Sequence, residues 1–332
     1  MKKRAILIFL FLIFLFLFFL ILSNFYLPLK EKSSPPQIFQ VKKGQGAFEI
    51  AKNLKKERLI KSEFSFLLYL VLKGKTKSLQ AGYYLLSPSM TPFEIAQKLI
   101  EGDVIFEKIT IVEGENKNEI AEYLEEKGIL KKENFLEKIK LKYWREKYEF
   151  LKDVKAEDLE GFLFPDTYFV KKGETEEEII SKFLDNFDKK VNEKLREEIS
   201  EKGKSLYDIL ILASLLEKEV KTFEDKKLVS GILWKRLENE IPLQVDATIT
   251  FITGKKTIKI PAEDLKIDSP YNTYKYKGLP PTPICNPGLE SILAAISPQQ
   301  SDYWYYLTTP EGNTIFSKTL KEHNIAKAKY LR

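Results

Sequence analysis

The 332-residue chain contains one cysteine and one histidine. A lone cysteine, Cys285, excludes an internal disulfide, and no metal-ligand spacing surrounds it. With His323 as its only imidazole, the chain has no histidine-rich zinc site, and Ser–His catalysis would rest on one residue near the C-terminus. A charge block of one sign is missing too. The net charge of +6 comes from 54 basic and 48 acidic residues spread along the chain, so no nucleic-acid site is read from it. Nothing in the composition calls for a cofactor.

Long apolar runs are absent except one. Residues 5–22 are uninterruptedly apolar, and no charge appears between Arg4 and Lys30. That length suffices to cross a bilayer as a helix. Lys2, Lys3 and Arg4 precede the run, which places the short N-terminus in the cytoplasm and the body of the chain beyond the membrane. Ser23-Asn-Phe-Tyr26 lacks the small-residue pattern of a cleavage site, which favours an uncleaved anchor over a signal peptide. Residues 1–29 are therefore assigned to a cytoplasmic N-terminus and a single transmembrane helix. Residues 30–37, with Pro35 and Pro36, read as a stiff linker.

A pattern then recurs. Phe39-Gln-Val-Lys-Lys-Gly44 followed by Glu49-Ile-Ala-Lys-Asn-Leu54 matches Ile109-Thr-Ile-Val-Glu-Gly114 followed by Glu119-Ile-Ala-Glu-Tyr-Leu124 at the same spacing. A partial copy, Glu94-Ile-Ala-Gln-Lys-Leu99, lies between them. Each full copy reads as a short strand, a Gly turn and an amphipathic helix. This order resembles a LysM-like module, assigned to residues 38–104; an unrelated spacer of the same elements is the alternative. The rest, residues 105–332, reads as a larger α+β domain, since helix and strand signals interleave without a βαβ series. Within it, the Trp144 and Tyr148 spacing predicts a packed aromatic pair, 160–168 a buried aromatic turn or strand entry, and 174–202 a charged, solvent-facing helix.

The chemistry gathers at 208–220. Between Ile209 and Leu216 the only polar side chain is Ser214, so a helix buried on all sides is expected, capped by Ser205 or Asp208. It ends in Glu217 and Glu219, about 200° apart around a helix. A carboxyl there that is withdrawn from water would stay protonated near neutrality, as a general acid requires; two solvated glutamates are the plainer reading. Downstream, Gln244, Asp246 and Thr248 alternate, and an extended chain would put all three on one face. The Pro- and Gly-rich stretch 278–288 reads as a rigid ordered loop walling a site.

Taken together, Glu160-Gly-Phe-Leu-Phe-Pro-Asp-Thr-Tyr168, Ala213-Ser-Leu-Leu-Glu-Lys-Glu219, Leu243-Gln-Val-Asp-Ala-Thr248, Ser269-Pro-Tyr-Asn-Thr-Tyr274, Gly278-Leu-Pro-Pro-Thr-Pro-Ile284, Asn286-Pro-Gly288 and Glu322-His-Asn324 resemble the YceG-like endolytic murein transglycosylases. The resemblance implies cleavage of the β-1,4 bond between N-acetylmuramic acid and N-acetylglucosamine in nascent glycan strands, leaving 1,6-anhydro ends. It puts the catalytic glutamate at Glu217 and implies substrate contacts from Gln244, Asp246, Thr248, Tyr271, Asn272, Tyr274 and Glu219. Peptidoglycan strands are the implied partner, and a place beside peptidoglycan polymerases follows from a membrane-tethered wall enzyme. One departure stands out: Gly312-Asn-Thr-Ile-Phe316 lacks the histidine that the family often carries there. The competing readings are a muramidase using Glu217 and Asp246, and a glycan-binding scaffold without activity.

Overall fold

The computed structural model describes residues 9–16, 19, 27–29, 34–255 and 260–331. Half of the expected transmembrane helix at 5–22 falls outside them, and among the described residues no helix is long and apolar enough to cross a membrane. The chain divides into two compact units, Met1–Lys108 with Phe169–Glu174, and Ile109–Tyr168 with Thr175–Arg332.

In the first unit, strand β1 (Gln37–Val41) is followed by helices α1 (Ala47–Lys56) and α2 (Glu63–Leu72), then strand β2 (Gly82–Leu86) and helix α3 (Pro92–Glu101). β1 and β2 pair antiparallel with Phe39 opposite Tyr84, and the alternation of each strand turns Phe39, Val41, Tyr84 and Leu86 into one core. The helices complete it with the recurring Ile-Ala-x-x-Leu: Ile50, Ala51 and Leu54 on α1, and Ile95, Ala96 and Leu99 on α3, are all fully buried. Thr91 and Glu94 close the start of α3 as a capping box.

Strand β3 (Phe106–Thr110) pairs with β4 (Thr167–Lys171), and helix α4 (Lys117–Glu126) repeats the pattern in the second unit. It buries Ile120, Ala121 and Leu124, and Asn116 with Glu119 forms its capping box. The leading Glu of each repeat in α3 and α4 is thus the third residue of a helix, reaching back to its own cap.

Short helix α5 (Lys132–Lys138) and two 3₁₀ turns lead to the aromatic segment. Trp144 is fully buried, with its ring 6.2 Å from that of Tyr148, a packed pair. Phe162 meets Phe187 at 5.1 Å and stacks on Tyr207 at 6.2 Å. The charged stretch 174–202 is two helices instead of one, α6 (Glu176–Lys190) and α7 (Glu193–Glu201). Asn192 caps the second through Leu195 N–H, and Ile179, Ile180, Phe183, Leu184 and Phe187 bury a face that the charges mask in the sequence.

Helix α8 (Leu206–Glu219), capped by Ser205, is buried at every position from Ile209 to Leu216. Around it pack α7, α9 (Phe223–Glu238), α10 (Asp246–Thr253) and α11 (Leu289–Ile296). The antiparallel hairpin β5 (Tyr305–Thr308) and β6 (Thr314–Ser317) and helix α12 (Leu320–Tyr330) complete the chain.

The 278–288 loop is held tightly. Ser214, the one polar residue inside α8, donates to Ile211 C=O at 2.7 Å and accepts from Ile284 N–H at 3.0 Å. Asn286 accepts from Gly161 and Leu163 N–H at 2.8 and 3.0 Å and donates to the Glu160 carboxyl at 2.9 Å and to Glu115 C=O at 3.0 Å, so its amide is fully satisfied. At Gly161, with φ +90°, a Cβ would lie 2.6 Å from Pro283 Cγ, so the turn requires glycine.

Candidate active site

The two carboxyls at the end of α8 meet different neighbours. Glu217 is surrounded by donors. Its Oε2 accepts from Gly288 N–H at 2.9 Å and the Ser291 hydroxyl at 2.7 Å, and its Oε1 from Lys226 Nζ at 3.2 Å. Gly288 is the N-cap of α11 and Ser291 lies in its first turn. Glu217 therefore closes that helix from outside, where orphan N–H groups and the helix dipole favour an anion. Lys226, buried on α9, has its ammonium against the same carboxyl.

Glu219 leaves α8 on another face. Its Oε1 accepts from Ala247 N–H and its Oε2 from the Tyr306 hydroxyl, both at 3.2 Å. Burial first, and then the negative charge of Asp246, push its carboxyl up to about 7, against the opposing pull of these two donors. Asp246 itself is exposed and accepts a hydrogen bond from the Tyr274 hydroxyl. Burial lifts the Tyr306 and Tyr274 phenols well above their ordinary value, so both remain protonated donors at neutral pH. Behind them Arg236 is buried, donating to Trp304 C=O at 3.0 Å and Leu243 C=O at 2.9 Å, which holds the hairpin entry and the loop before α10 in place.

The alternation of Gln244, Asp246 and Thr248 is not an extended face. Asp246 opens helix α10, and Gln244 precedes it at φ 55°. The reason is nonlocal: Val245 offers no side-chain cap, and Glu219 supplies one through Ala247 N–H. Gln244 and Asp246 remain exposed, whereas Thr248 is buried and bonds Val245 C=O at 2.7 Å. Asn272 is also buried, and its amide donates to Leu265 and Ile267 C=O at 3.0 and 2.9 Å. Tyr271 shares a hydrogen bond with Thr282 at 2.8 Å and packs its ring 4.9 Å from Phe251.

Tyr271 also lines a cavity of about 580 Å³ with Lys117, Asp158, Glu160, Phe251 and Pro281. Neither Glu217 nor Glu219 lines it. A second carboxyl is displaced here: burial pushes Glu160 up to about 8, although Lys117 N–H and the Asn286 amide donate to it at 3.0 and 2.9 Å. At 3% exposure Glu160 is a latch between segments, whereas Glu219 stands beside exposed Asp246. Among the described residues no group of three or more His, Cys, Asp or Glu side chains is placed to hold a metal ion. His323 stacks on Tyr305 at 5.3 Å, next in the strand to Tyr306.

Tyr306 and Lys226 escaped the sequence reading, since neither lies in a motif singled out there. A buried lysine in an amphipathic helix and a tyrosine in a Tyr-rich strand carry no local mark.

Residues 39–329 match the model of the YceG-like family. The chain is 35% identical over 316 residues to the endolytic murein transglycosylase of Bacillus subtilis, covering 92% of this chain and 87% of that protein. It is 31% identical over 326 residues to the endolytic murein transglycosylase of Streptococcus pneumoniae, covering 90% of this chain and 59% of that longer protein. A crystal structure of a yceG-like protein from Listeria monocytogenes superposes with a TM-score of 0.61 at 32% identity, covering 89% of this chain and 100% of the other.

Proposed function

The chain belongs to the YceG-like family, and on that footing we infer that it is a lytic transglycosylase that cleaves peptidoglycan, as its relatives' names state of them. In this reaction the muramoyl 6-hydroxyl attacks its own anomeric carbon as the glycosidic oxygen departs. An acid gives its proton to the leaving oxygen, the resulting carboxylate takes the proton of the 6-hydroxyl, and an anhydro ring closes without water. Because the nucleophile is tethered, one carboxyl can serve both steps, where a hydrolase uses two.

The observation that bears on the choice of acid is the setting of the two carboxyls that end α8, and Glu219 is the one raised by burial. A carboxyl pushed up to about 7 is substantially protonated at neutral pH yet basic enough to recover a proton. Glu217, expected from the sequence to be that acid, has both oxygens engaged by donors that tie α9 and α11 together, as Glu219 has by Ala247 N–H and the Tyr306 hydroxyl. Glu217 remains the acid/base that the resemblance implies, and Glu219 is the alternative that its raised carboxyl supports. Asp246, Gln244 and Tyr274 are the polar groups disposed to meet the sugar beside Glu219, with Tyr271 packed on Phe251 of α10. Thr248 and Asn272 brace the loop behind them.

Asp246 beside Glu219 also supports a second reading, a muramidase in which Asp246 activates water. Digestion of purified glycan strands in water labelled with heavy oxygen separates the two. Unlabelled anhydro ends, with no gain of mass per cut, are expected. Labelled reducing ends would establish the hydrolase instead.

Residues 5–22 are read as a single membrane span holding both units on the far side of the cytoplasmic membrane, within reach of glycan as it is polymerised. The β–α–α–β order of the first unit supports the LysM-like reading.

A further inference from the structure

Helix α2 is apolar on both sides, yet only one side is covered. Ser65, Phe66 and Leu70 face the core of the first unit. On the opposite side Phe64, Val71 and Leu72 are 65%, 61% and 76% exposed, with Leu68 half-exposed between them, while Leu67 at the margin packs against the core. At 100° per residue these four span one stripe roughly 100° wide. The helix carries a single charge, Glu63, which is paired with Lys55 at 3.3 Å. Beyond the exposed end of the stripe the chain runs Lys73-Gly-Lys-Thr-Lys77, all exposed, and Lys61 flanks the other end. None of Lys73, Lys75 and Lys77 has a carboxylate partner among the described residues.

We propose that this stripe and its lysines form a docking surface for the anionic headgroup layer of the membrane to which the chain is tethered. The proposal rests on the reading of residues 5–22 as that tether. Apolar side chains on one helix face with unpaired lysines at its margin are the composition of an interfacial helix: the side chains enter the acyl boundary and the ammonium groups meet lipid phosphates. The tether supplies proximity, because the fourteen residues between the apolar run and β1 extend to at most about 48 Å. A second copy of the chain fits less well, since a two-fold pairing of the stripe would bring lysine clusters of equal charge together. Docking would hold the first unit flat on the membrane surface.

The test uses the full chain in vesicles, with a nitroxide on Leu72→Cys; Cys285 is buried and out of reach of the label. In vesicles containing anionic lipid the label should be reached by oxygen and shielded from a water-soluble nickel chelate, unlike a label on exposed Lys52→Cys. Lys73→Glu, Lys75→Glu and Lys77→Glu together should shift the docked-to-free ratio on the order of a hundredfold toward free. Free access of the chelate to residue 72 overturns the docking surface, and dipolar broadening between labels overturns it in favour of a second copy. A label on Leu12→Cys separates the two readings: chelate access at both sites refutes the tether, and access at residue 72 alone refutes only the docking.

Discussion

Glu217 and Glu219 differ by two positions and by everything that surrounds them, and substitution should separate their roles. Glu219→Gln keeps the size of the side chain and an acceptor for Ala247 N–H but cannot give up a proton. If Glu219 is the acid, turnover should fall about 10²–10⁴-fold with little change in stability. Glu217→Gln removes the carboxylate paired with the buried Lys226 ammonium, leaving it the Glu113 carboxyl nearby, and weakens the closure of α11, a loss of up to about 3–5 kcal/mol on unfolding in denaturant. If Glu217→Gln instead folds as well as the parent and is inactive, the acid is Glu217. The raised carboxyls also fix a sign for pH. With Glu219 as the acid, its value of about 7 should make cleavage fall as pH rises through neutrality. Folded-state values of about 7 and about 8 for Glu219 and Glu160 lie above the ordinary 4.5, so the folded chain holds more protons than the unfolded one across that window. Their contribution is intact below about pH 4.5 and is lost as pH climbs to 8. Glu160→Gln should flatten the upper part of that decline, read from denaturation midpoints between pH 5 and 8; an unchanged slope would place the titrating group elsewhere. The sequence made the glutamate pair visible, but the partners that tell the two apart, Ala247, Gly288 and Tyr306, lie 28 to 87 residues away.

At the scale of elements, legibility followed how local the cause was. The repeat Glu-Ile-Ala-x-x-Leu foretold three helices because its burial face and, in two of them, its cap lie within six residues. Buried α8 was foretold by its apolar run and by Ser214, whose lone hydroxyl needed a partner and found Ile284. Helix α10 was missed because Thr, Ile and Phe in alternation favour a strand, and the cap that starts the helix comes from Glu219. The division of 174–202 was missed because a run of charges hid the Asn192 cap. Close packing between elements leaves an equally nonlocal signature at Gly231 in α9. A Cβ there would lie 2.1 Å from the backbone oxygen of Gln299. Alanine ordinarily stabilises a helix interior by up to about 1 kcal/mol relative to glycine. Here Gly231→Ala should instead destabilise, by roughly 1–3 kcal/mol, because backbone must move to admit the methyl group. Denaturation of the variant gives the sign directly: a gain in stability would mean that the segment around Gln299 yields freely.

For the whole molecule, the question is on which side of the membrane the chemistry takes place. A glycan-cleaving site has substrate only beyond the cytoplasmic membrane, and three cationic residues ahead of the apolar run would hold the N-terminus inside. The two arguments are independent, since one rests on the reaction and the other on charge asymmetry around residues 5–22. They also exclude different errors. A cleaved leader would give the proposed compartment and a released protein, whereas an inverted span would leave the enzyme bound and without substrate. Protease added to spheroplasts distinguishes all three. Digestion of the body with retention of a short membrane-embedded N-terminal fragment is expected. Loss of the chain into the medium before protease is added points to cleavage near Ser23. A protected body with an accessible N-terminus would reverse the orientation, and with it the assignment of nascent peptidoglycan as the substrate, whatever the purified protein does to isolated strands.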